Sequence, residues 1–142
     1  MLFTCKKISK QLNCFSTKSL GINHYLISYC KSTDILNRII YLRDIIEIKY
    51  GDPTDIKKSL LAKTKIYLLI KIITEDRSYD FQFNTIEEIR SLILHIDNLN
   101  FNIKMPSLDN INNKYNEIID KINNSTDDVK LSNFPLLTQI DA

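Results

Sequence analysis

Residues 65–100, KIYLLIKIITEDRSYDFQFNTIEEIRSLILHIDNLN, constrain the fold most, because the hydrophobic period changes within them from two to nearly four. Ile66, Leu68, Ile70 and Ile72 share one face at period two, and Tyr67, Leu69, Lys71 and Ile73 share the other, as a strand requires. The polar run Thr74 to Ser78 has hairpin length, and Tyr79, Phe81 and Phe83 then alternate with Asp80 and Gln82 in a second strand. At Thr85 the period lengthens. Thr85 and Glu88 form a T-x-x-E capping box, which predicts a helix starting at Ile86. Ile86, Ile89, Leu92, Ile93, Ile96 and Leu99 recur at helical spacing, so one face of that helix is core.

The segments before it read as sheet. Leu2–Ile8 and Leu12–Lys18 form a first hairpin across Ser9-Lys10-Gln11, with a turn near Ser19 to Asn23 that contains Gly21. His24–Cys30 is a third strand. Asn37–Tyr50 exceeds one average strand and predicts two, bending near Arg43-Asp44. Gly51-Asp52-Pro53 stops the chain, and Thr54–Leu61 has room for one or two helical turns. About seven strands followed by a capped helix imply an α+β domain: a curved antiparallel sheet, or partly open barrel, whose corner the helix plugs. We place this domain at residues 2–100.

Residues 101–142 read as a C-terminal extension. After Pro106, Leu108, Ile111, Tyr115, Ile118 and Ile122 recur at spacings of three and four, predicting a second helix over about 108–122. A helix of ~15 residues is marginal alone in water, so it must dock on the domain or on a partner, and Ile111, Tyr115 and Ile118 are the candidate partner contacts. Val129–Ala142 is an apolar-dotted tail.

A chain of 142 residues with net charge +2 is long enough for one core and too balanced for a generic nucleic-acid binder. The alternating aromatics Tyr67, Tyr79, Phe81 and Phe83 read as core rather than as a base-stacking platform. Cys5, Cys14 and Cys30 are odd in number and lack metal spacing, which fits a reducing, cytoplasmic setting. No apolar run reaches the ~20 residues of a membrane span. There is no glycine-rich phosphate loop, no paired nucleophile and base, and no metal-ligand spacing; His24 and His95 stand isolated. Neither catalysis nor a cofactor nor a metal is expected.

Two local patterns resemble the pleckstrin-homology (PH) family. Tyr41-Leu42-Arg43-Asp44-Ile45-Ile46-Glu47-Ile48-Lys49-Tyr50-Gly51 is similar to the L-x-D-I-x-E-I-(basic)-x-G segment of phospholipase C type PH domains. Tyr79–Phe83 leading into Asn84–Ile89 resembles the family's last strand and helix entry. Leu92 stands where the family generally carries a tryptophan, and the chain has none, which keeps PTB and GRAM relatives in contention. The resemblance implies a non-catalytic, membrane-targeting adaptor, peripheral at a membrane, that recognises phosphoinositide or phosphatidic acid headgroups at the open end of its barrel. Lys6, Lys7 and Lys10 match the first half of the basic motif K-Xn-(K/R)-X-R, but Leu12 replaces its final arginine. Tyr29, Lys31 and Arg38 correspond to positions that add headgroup contacts. The alternative is a PTB-like protein-interaction module acting through a sheet edge or the C-terminal helix.

Overall fold

The computed structural model describes residues 1–9, 14–31 and 38–124. Seven strands, β1 (Leu2–Ser9), β2 (Cys14–Ile22), β3 (Leu26–Cys30), β4 (Arg38–Tyr41), β5 (Ile45–Tyr50), β6 (Leu69–Thr74) and β7 (Ser78–Gln82), make one antiparallel sheet in the order β4-β3-β2-β1-β7-β6-β5. β1 pairs with β2 from Leu2↔Gly21 to Ser9↔Cys14 and, on its other side, with β7 from Lys6↔Gln82 to Ile8↔Asp80. That double pairing curls the sheet around a core in which Leu20, Ile27, Ile70 and Phe81 are fully buried. Helix α2 (Ile86–Asp97) plugs the corner with Ile89, Leu92, Ile93 and Ile96. Its capping box is formed: Glu88 N–H donates to Thr85 Oγ1 at 3.2 Å, and Thr85 N–H donates to Glu88 Oε1 at 3.1 Å.

Asn37–Tyr50 breaks as expected, with a 3-10 turn at Leu42–Asp44 between β4 and β5. Two local expectations are corrected. β2 runs on to Ile22, and the turn falls at Asn23, whose Oδ1 accepts from the amides of Tyr25 (2.8 Å) and Leu26 (2.9 Å). Gly21 therefore lies inside a strand, where a Cβ would come within 3.2 Å of Leu2 Cδ2. Ile66–Leu68, expected as strand, is a 3-10 turn held by the Tyr50 hydroxyl donating to Tyr67 O at 2.7 Å, and β6 begins only at Leu69. The helical turn of the long connection, α1, is Lys58–Leu61.

Lys71 is buried on the outer face of β6, with 3% exposure, and its Nζ lies 3.2 Å from Oδ1 of the fully buried Asp80. The same Nζ donates to Thr54 O at 2.6 Å, latching the connection onto the sheet. Burial opposes ionisation of Asp52 in that connection, but hydrogen bonds from Thr54 and the charges of Lys71 and Lys49 outweigh it and hold the carboxyl below its ordinary range.

Residues 101–124 pack onto the same body. Ile48 N–H donates to Lys104 O (2.9 Å) and Lys104 N–H to Ile46 O (3.1 Å), so this segment covers the free edge of β5. Helix α3 (Leu108–Asn123), capped by the Ser107 hydroxyl, inserts the fully buried Ile111 into the main core. Ile122 joins Tyr67 and Leu68 in a separate cluster, against which Tyr115 and Ile118 also pack. The tail Val129–Ala142 lies outside the described residues.

Candidate functional site

Alternating antiparallel pairing brings the end of β1, the start of β2, the end of β3, the start of β4 and the β6–β7 turn to one end of the barrel. At that end the inner face of the sheet carries Lys7 on β1, Tyr29 on β3 and Tyr79 on β7. Lys7 Nζ stands 6.0 Å from the centre of the Tyr29 ring, at the outer limit of a cation–π contact. Tyr29 packs edge-on against Tyr79 at 6.3 Å and Phe81 at 5.3 Å. The guanidinium of Arg77, in the β6–β7 turn, lies 4.3 Å from the Tyr79 ring centre. Burial raises the pKa of Tyr29, while the positive charges of Arg77 and Arg38 pull against that rise, so both arginines act on the same phenol. Arg38 is exposed and faces Tyr29 across the β3–β4 ladder.

The geometry splits the expected lysine patch. Neighbouring residues of a strand point to opposite faces. Lys7 therefore points into the open end, whereas Lys6 lies on the outer face, 6.0 Å over the Phe15 ring. Lys6 there neighbours Lys65, whose pKa is lowered first by burial and then by the Lys6 charge. Lys31 is exposed at the end of β3, and Lys10 lies outside the described residues. The structure thus gathers Lys7, Tyr29 and Arg38 and sets Lys6 apart. The sequence reading missed Arg77 and Tyr79, although the meander order, which brings the third turn to the first two, was a signal for them.

A concavity of about 1030 Å³ touches this cluster through Arg77 and Tyr79 and runs along β4 past Ile39, Tyr41 and Phe101. Lys7 and Tyr29 are not in its lining. The partner contacts expected on α3 are engaged within the domain: Ile111 is a core residue, and Tyr115 and Ile118 are half-buried against Tyr67 and Leu68. His24 and His95, isolated in sequence, meet with ring centres 6.3 Å apart and tie the β2–β3 turn to α2. Among the described residues no three histidine, cysteine or carboxylate side chains cluster to hold a metal, and no helix is long and apolar enough to cross a membrane.

No protein-family model matches the chain, and no curated protein matches it in sequence. In three dimensions it is similar to the N-terminal PH domain of human ARAP2, with 17% identity, a TM-score of 0.54, and coverage of 70% of this chain and 76% of that one. It is also similar to Inner Membrane Complex Sub-compartment Protein 3 of Toxoplasma gondii, with 15% identity, a TM-score of 0.51, and coverage of 69% and 73%. Identities this low carry the fold alone. The fold is PH-like, α+β, a seven-stranded antiparallel sheet with C-terminal helices.

Proposed function

We propose that this PH-like module is a non-catalytic adaptor that recognises anionic lipid headgroups, phosphoinositide or phosphatidic acid, at the open end of its barrel and so acts peripherally at the cytoplasmic face of a membrane. The observation that carries this reading is the convergence of Lys7, Arg38 and Arg77 around the paired rings of Tyr29 and Tyr79. Lys31 adds charge at the rim. Four cations near an anionic leaflet contribute roughly 4 kcal/mol, which alone gives only about millimolar binding. A directed phosphate contact supplies the rest, and the planar fork of Arg77 is suited to it.

The test is co-sedimentation with vesicles graded in phosphatidylserine, phosphatidic acid and phosphoinositide. Each charge reversal removes about 1 kcal/mol of attraction and adds a similar repulsion, so Lys7→Glu with Arg77→Glu is expected to weaken binding on the order of 10³-fold. Lys6→Glu, on the opposite face, is expected to cost less than about tenfold. Absence of binding to every composition at low salt would sink this reading. Equal losses from the Lys6 and Lys7 reversals would reduce it to unspecific charge attraction.

A further inference from the structure

The sheet has two edges and they differ. The free side of β5 is covered by the segment around Lys104, whereas β4 pairs with β3 on one side and, among the described residues, with no strand on the other. Exposed edges commonly carry lysine, proline or a bulge that discourages further pairing. β4, Arg-Ile-Ile-Tyr, is short and begins with a charged residue, but it has no proline or lysine, and its last three residues are uncharged. Its outward face shows Ile39 at 48% and Tyr41 at 42% exposure, and Ile46 at 53% lies beside them on the same concavity. The charges lining that concavity are balanced: Arg43, Arg77 and Lys104 against Asp44, Glu75 and Asp76.

We propose that β4 is a homotypic docking edge, pairing antiparallel with β4 of a second copy of this chain about a two-fold axis centred on Ile40. Side chains directly opposite in an antiparallel pair lie on the same face of the sheet, so a two-fold register matches positions of equal parity. Centred on Ile40, it sets Ile39 against Tyr41 of the partner subunit, and the symmetry repeats the contact. β-branched residues opposite aromatics are favourable cross-strand pairs. Centring on Tyr41 would instead set Ile39 against Arg43. The even mixture of charge fits a second copy, because a self-complementary surface must carry both signs, while a strongly acidic or basic peptide strand would gain no net attraction from it. The contact joins two sheets into one and leaves Lys7 and Tyr29 on the inner face; it shares β4 with Arg38 and the concavity with Arg77, so self-association is measured without vesicles to keep the two readings apart.

A pairing of four-residue strands makes a small interface of the weakly associating class, so a dissociation constant on the order of 100 µM is expected. Sedimentation equilibrium of the full chain over a range bracketing that value tests it. The expected result is a weight-average mass rising from 16.6 kDa toward twice that figure, with the rise abolished by Ile39→Lys or Tyr41→Lys and unchanged by Tyr25→Lys on a different turn. As a second readout, Ile39→Cys with Tyr41→Cys in a Cys14→Ser background is expected to give a covalent dimer under mild oxidation. A chain that stays monomeric and fails to cross-link overturns the proposal. So does a dimer insensitive to both lysine substitutions, or a monomer that instead takes up an unrelated extended peptide along β4.

Discussion

Replacing Lys71 by methionine tests whether one buried lysine both balances Asp80 and fastens the connection from Asp52 to Lys57. Lys71 is 3% exposed and Asp80 fully buried, with 3.2 Å between Nζ and Oδ1, so the substitution removes a close positive charge from a buried carboxylate. Breaking one side of such a pair costs about 3–5 kcal/mol. For a chain of 142 residues the unfolding entropy is roughly 0.3 kcal/mol per kelvin, so Tm is expected to fall by about 10–15 °C. Thermal unfolding followed by circular dichroism reads this directly. Lys71→Met with Asp80→Leu removes both charges and is expected to recover most of the loss, because replacing a whole buried pair by apolar groups is often close to neutral. The latch gives a second readout. With the 2.6 Å bond from Nζ to Thr54 O gone, trypsin is expected to cut after Lys57 or Lys58 faster in the single and double variants alike. A single variant within ~1 kcal/mol of wild type, or a double variant as unstable as the single, would refute the assignment of a charge-balanced pair.

Gly51 has φ of +65°, and a Cβ there would lie 3.2 Å from Ile118 Cδ1 and 3.3 Å from Lys114 Cε. Gly51→Ala is expected to cost about 1–2 kcal/mol in urea unfolding from the backbone alone, and Lys114→Ala in that background restores only the part owed to crowding. Burial, with a smaller contribution from Glu88, pushes the Cys5 thiol up to about 12, so at pH 8 a thiol reagent is expected to label exposed Cys14 quickly and leave Cys5 untouched until unfolding. Because the folded value lies above the unfolded one, the Cys5 contribution to stability is complete below pH ~9 and is lost as pH rises toward 12. The urea midpoint is expected to fall between pH 8 and pH 10.5; an unchanged midpoint, or rapid native labelling of Cys5, would contradict its burial.

What could be read from the residues follows the range of each signal. The Thr85 cap, the α2 face and the break between β4 and β5 depend on neighbours a few positions apart and are found where expected. The Ile66–Leu68 turn was hidden, because its apolar residues keep strand alternation while Tyr50, far off in sequence, holds Tyr67 by its carbonyl. Nothing local marks Lys71 and Asp80 as a buried pair, since the connection that folds over Lys71 lies some seventeen residues away in sequence. Lys6 and Lys7 could have been separated from the strand period, since adjacent residues cannot share a face, whereas a motif counts residues along the chain and ignores direction. The meeting of His24 with His95 and the entry of Ile111 into the core are long-range outcomes of topology, for which no local pattern exists.

The pairing of β1 with β7 has a further consequence during synthesis. Lys6 and Gln82 stand opposite each other across the sheet, so the first strand must wait for the seventh, and closing a loop of that length is a slow, entropically costly step. On the ribosome the early hairpin of β1 and β2 emerges with Phe3, Cys5 and Leu20 uncovered, and these stay wet until Phe81, Phe83 and the first turns of α2 arrive to enclose them. Folding of this chain is therefore gated by translation past α2, and a pause before that point leaves a sticky two-stranded ribbon in the care of chaperones.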